Sequence, residues 1–106
     1  MFVAMMLFVA SPNPQALIAP RKAYAACIKE FETKSLAAKM SPGAYASAIK
    51  SACQAEATTF TNALIAYDVA MGGKQATAAA SAASDVADYV LTSEERFKEL
   101  ADSSPR

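Results

Sequence analysis

The sequence predicts an all-α protein, an antiparallel three-helix bundle whose first hairpin is tied by a disulfide. Three observations carry this expectation. Apolar residues recur every three or four positions along most of the chain, and no stretch alternates as a half-buried strand would. Two turn signals, Ser41-Pro42-Gly43 and Gly72-Gly73, divide the pattern into three arms, with helices expected at about 20–39, 42–71 and 74–101. One cysteine sits on each of the first two arms, at matching distances from the turn that joins them.

The first arm places Tyr24, Cys27, Ile28, Phe31 and Ala38 on one face. Its other face, with Lys29, Glu30, Glu32, Lys34 and Lys39, reads as solvated, and Glu30 and Lys34 stand four apart in the favourable order. Ser41 is a suitable N-cap, and Pro42 follows at the first helical position, where its missing donor costs nothing. The second arm carries Tyr45, Ile49, Cys53, Phe60, Leu64, Tyr67 and Met71 on one stripe. Counted from the turn, Cys27 and Cys53 both lie roughly 20 Å along their arms. A bond between them is expected, the alternative being two buried free thiols. Glycine at Gly72-Gly73 can take the left-handed conformation that ends a helix. The third arm has Ala79, Ala82, Ala83, Val86, Tyr89, Val90, Phe97 and Leu100 in phase, which favours one helix, although Thr92 and Glu95 form a capping-box pattern able to restart it. Folding this arm back about Gly72-Gly73 sets Phe97 level with Ala48 and Leu100 level with Tyr45.

Residues 1–10 are uninterrupted apolar side chains, too short for a membrane span of about 20 residues and suited to the core of a secretory signal. No basic residue precedes the run, and of the alanines near a cut, Ala19 is followed by Pro20 while Ala16 lies only two residues after Pro14. Residues 1–19 are therefore expected to be a signal peptide, 20–102 the bundle and 103–106 a disordered tail, with an uncleaved anchor or a buried helix as alternatives. Export to a periplasmic or extracellular location supplies the oxidising surroundings the disulfide needs.

The chain of 106 residues has a formal net charge of zero, which argues against a nucleic-acid partner held by bulk electrostatics. It has no histidine, and so lacks the commonest general base and metal ligand. Two distant cysteines make neither a zinc site nor a Cys-x-x-Cys motif. Gly72-Gly73-Lys74 lacks the spacing of a phosphate loop. Asp85 and Asp88, with Glu94 and Glu95 further along, fall outside the apolar stripe and read as solvated acids. The four tyrosines, at 24, 45, 67 and 89, read as core residues whose hydroxyls reach the rim. No catalytic residue, cofactor or metal is expected.

With Pro20-Arg21-Lys22-Ala23-Tyr24, Cys27, Cys53 and Tyr67-Asp68, the stretch after the apolar start resembles short uncharacterised exported helical proteins of bacteria. The resemblance implies export but no activity. The leading expectation is a non-enzymatic binding or envelope-structural protein; the alternatives are a thiol-active protein cycling the Cys27–Cys53 pair and an enzyme working through outward carboxylates. A partner surface is expected at the far tip of the second helix. Ile65 and Val69 should be exposed there, with Tyr67 and Met71 behind them under only small alanines, serving an unknown protein partner or self-association. The competing reading folds the N-terminal segment over that tip.

Overall fold

A computed structural model of the chain describes residues 13–103. The expected signal sequence up to residue 12 and the last three residues of the tail lie outside the described residues. The described residues are helical, without a strand. A short 3-10 turn, Pro14–Leu17, leads into α1 (Ile18–Ala37), followed by α2 (Pro42–Ala52), α3 (Gln54–Ala70) and α4 (Gln75–Ser103). α2 and α3 together form the expected second arm, so the three-arm plan holds with four helices.

The second arm is not one helix from 42 to 71. It breaks at Cys53, where φ −118° and ψ 40° leave the helical region. The expected disulfide forms at this joint, with the Cys27 and Cys53 α-carbons 6.0 Å apart. The cross-link lies between two groups of rings. Toward the 38–41 turn, Tyr45 stacks on Phe97 at 4.0 Å between centroids and on Phe31 at 5.4 Å. On the other side, Tyr24, Phe60 and Tyr89 meet pairwise at 5.4–5.9 Å. Phe97 thus meets Tyr45 rather than standing level with Ala48. The expected register counted a straight helix from the glycine turn, and the break at Cys53 intervenes.

Both ends of the hairpin are closed as the turn residues require. The Ser41 hydroxyl accepts from the Ala44 amide at 3.1 Å. After α3, the Gly73 amide donates to the Asp68 carbonyl and the Gly72 amide to Val69, with Gly72 at φ 100°. After α1 the same pair of bonds runs from Met40 to Ser35 and from Lys39 to Leu36, but here Lys39 takes the left-handed position at φ 58°. A side chain pays a steric cost in that conformation. Lys39→Gly should therefore raise the unfolding free energy by about 0.5–1 kcal/mol, measured by urea unfolding. An unchanged or lower midpoint would mean that Lys39 supplies an interaction that outweighs the strain.

α4 is continuous through Thr92-Ser93. Its buried line is Ala78, Ala82, Ser93, Phe97 and Ala101, rotated from the expected stripe, so that Leu100 is 40 % exposed. At the N-terminal end the folded body includes residues assigned to the signal. Asn13 caps the 3-10 turn by accepting from the Gln15 amide at 3.0 Å, and Leu17 enters the core while the turn lies against α3.

Candidate functional site

The polar residue that matters most for the architecture is Glu32, which the sequence placed on the solvated face. It is 5 % exposed, because it follows Ile28 by four positions and so shares its buried face. Its carboxylate is fully engaged. Oε2 accepts from the Ser93 hydroxyl at 2.6 Å and from Arg96 Nη2, while Oε1 accepts from Arg96 Nε at 3.0 Å. The Tyr45 hydroxyl lies 2.6 Å from Ser93 Oγ. Ser93 has one proton and gives it to the carboxylate, so Tyr45 donates to Ser93. The Tyr45 hydroxyl is thus satisfied inside the bundle rather than at the rim. Burial, the largest influence, raises the Tyr45 pKa, and the hydrogen bond to Glu32 raises that of Arg96. Among the described residues, no buried side-chain nitrogen or oxygen lacks a partner.

Glu32 and Arg96 are 64 positions apart, and α1 and α4 run parallel, since Tyr24 meets Tyr89 in the same sense. The same offset sets Arg21 level with Asp85, Ala25 with Tyr89 and Ile28 with Thr92. On each helix these four levels are spaced by four, three and four residues, which is one helical face. Between the two faces lies an open groove of about 540 Å³, lined by Arg21, Ala25 and Ile28 of α1, Phe60 of α3 and Asp85, Asp88, Tyr89, Thr92 and Arg96 of α4. It exists because Ala25 and Thr92 are small where the helices would otherwise close over the rings.

The two ends of the groove differ. At one, Arg96 is committed to Glu32. At the other, the Arg21 guanidinium lies over the Phe60 ring, 5.4 Å from its centroid, and forms no ion pair among the described residues. Asp85 and Asp88 are exposed, and neither is paired with a cation among the described residues. Burial and the neighbouring Tyr89 raise the Tyr24 pKa behind this wall.

The residues singled out in the sequence are distributed as follows. Cys53 is 2 % exposed and Cys27 half-buried. The Glu56 carboxylate approaches both sulfurs, with the three candidate ligand atoms within 4.8 Å of one another, but the bonded sulfurs present no thiolate. At the tip, Val69 and Met71 are 41 % and 60 % exposed, whereas Ile65 and Tyr67 are half-buried against the core. The exposed pair is thus Val69 with Met71, not Val69 with Ile65. The groove went unseen because Asp85 and Asp88 were read only against the apolar stripe of their own helix. The repeated four-three-four spacing in residues 21–32 and 85–96 was the available signal.

Comparison with family models, curated proteins and solved structures returned no match.

Proposed function

We propose that this chain is a small exported helical protein of binding or envelope-structural type, without catalytic activity, and that its ligand site is the groove between α1 and α4. The observation that carries this reading is the groove itself: two register-matched helix faces held open over aromatic rings, with charged side chains at the mouth that no described residue pairs. A volume of about 540 Å³ falls in the usual range for small-ligand sites. The cross-link supports an oxidising location, and no helix among the described residues is long and apolar enough to cross a membrane. Leu17 in the core favours any signal cut lying ahead of it rather than after Ala19. In the thiol-cycling alternative, attack on the bond would have to come at the half-buried Cys27, since Cys53 is buried.

The test is a nuclear magnetic resonance screen of small cations, anions and neutral aromatics against the labelled protein. Ligands should shift Ala25, Ile28 and Thr92, and Ala25→Trp, which fills the groove, should abolish those shifts while preserving the helical spectrum. Shifts elsewhere only, or shifts that survive Ala25→Trp, would remove the groove as the site. The tip remains a second proposed surface, for a protein partner or another copy, through Val69 and Met71 with Ile65 and Tyr67 behind. Val69→Glu with Met71→Glu should abolish association in sedimentation without lowering the melting temperature. Association that persists would leave the tip without this role.

A further inference from the structure

We propose that the groove takes an organic cation with an apolar body, an arylammonium or alkylammonium group rather than an anion. This rests on the reading of the groove as a binding site and adds the sign of its ligand. The sign follows from which charges are already spent. Arg96 lines the groove but is neutralised by the buried Glu32, whose two oxygens it holds in a fork. Among the described residues, what remains is one cation, Arg21, against two carboxylates, Asp85 and Asp88, a formal net charge of −1 (one positive, two negative) from the unpaired lining groups.

The floor has the same preference. Phe60 and Tyr89 meet edge to face at 5.6 Å; Phe60 is buried with Arg21 over its face, so the half-buried Tyr89 is the ring a ligand can reach, and the negative face of an aromatic ring attracts a cation. The Phe60 face already draws the Arg21 guanidinium, although Asp85 stands level with Arg21 on the facing helix. The ring and carboxylates are therefore placed about a position that suits positive charge. In the bound form the ammonium sits between Asp88 and Asp85, one helical turn apart, and its apolar body lies on Ile28, Ala25 and the Tyr89 ring. Arg21 forms the wall at that end and, as a like charge, weakens the binding it borders. The aligned carboxylates supply the attraction and the rings supply the contact area.

Three probes of matched size decide this: benzyltrimethylammonium, benzoate and benzyl alcohol, titrated into the full chain at low salt. The chain has no tryptophan, so its emission comes from the four tyrosines, Tyr89 among them, and isothermal titration gives the affinity. Benzyltrimethylammonium should bind best. Asp85→Asn with Asp88→Asn should weaken it by about tenfold or more, and Arg21→Ala should tighten it severalfold, because opposite and like charges act with opposite sign. Added salt should weaken it. Asp85 and Asp88 are exposed, so these variants keep the fold, and an unchanged melting curve checks that. Preferred binding of benzoate, equal binding of benzyl alcohol, or indifference of the ammonium to the aspartate pair would overturn the cation assignment, while any of these that Ala25→Trp blocks would leave the groove as a site. If no probe binds in a way that Ala25→Trp blocks, both readings fall.

Discussion

Replacing Cys27 and Cys53 together by serine should lower the unfolding free energy by about 3.5 kcal/mol, the loop-entropy value for a cross-link between residues 26 positions apart. In a domain of this size that is a large fraction of a total of roughly 5–15 kcal/mol. The melting temperature should fall by about 14–28 °C, taking about 4–8 °C per kcal/mol for a domain of this length. The helical spectrum should survive at low temperature, because the ring trios on either side of the cross-link are packed by side chains other than sulfur. Thermal unfolding followed by circular dichroism, with and without reductant on the parent protein, checks the value. A melting curve that did not move would mean that the unfolded chain is already restricted to the same extent.

The second large effect concerns Arg96. Arg96→Met keeps most of the aliphatic stem and removes the guanidinium, leaving the Glu32 carboxylate buried with only the Ser93 hydroxyl for company. Losing the partner of a buried charge costs about 3–5 kcal/mol. Arg96 is itself half exposed, its side chain 48 % accessible, so about 2–3 kcal/mol is the better expectation. Adding Glu32→Gln to Arg96→Met should restore part of the loss, since the amide carries no charge to strand. Urea unfolding of the two variants measures both steps. A double variant less stable than Arg96→Met would show that the negative charge of Glu32 is stabilised by something other than Arg96.

How far the fold was legible depended on which residues carried it. The all-helical class, the Ser41 cap, the glycine closure after α3 and the Cys27–Cys53 pairing follow from local chemistry, and all are found. The break at Cys53 was not legible, because nothing near Ala52 or Gln54 is a helix breaker; it is a tertiary feature at the cross-link. The misplacement of Glu32 has a different origin. Tyr24, Ile28, Glu32 and Ser35 keep strict helical spacing, and on α4 Ser93 keeps it with Phe97 and Ala101, so the periodicity pointed inward. The rule that charges face water pointed outward. Periodicity won because Arg96 and Ser93 arrive at the same level to satisfy the carboxylate. The exposure of Met71 likewise reflects its place as the residue that ends α3, where the stripe no longer continues.

The single carboxylate that closes one end of the groove also acts as a ruler. Helices rich in alanine slide past one another at little cost, since one small side chain replaces another every turn. Glu32 removes that freedom for α4. A slip by one turn toward either terminus would bring Thr92 or Leu100 to the place of Arg96, and Tyr89 or Phe97 to that of Ser93. Each displaced arrangement would leave a negative charge in the interior without a cation. The aligned state is thus set apart by the penalty attached to its neighbours as well as by the Phe97 and Tyr89 ring contacts that a slip would undo, and together these fix the levels of the groove from Arg21 and Asp85 downward.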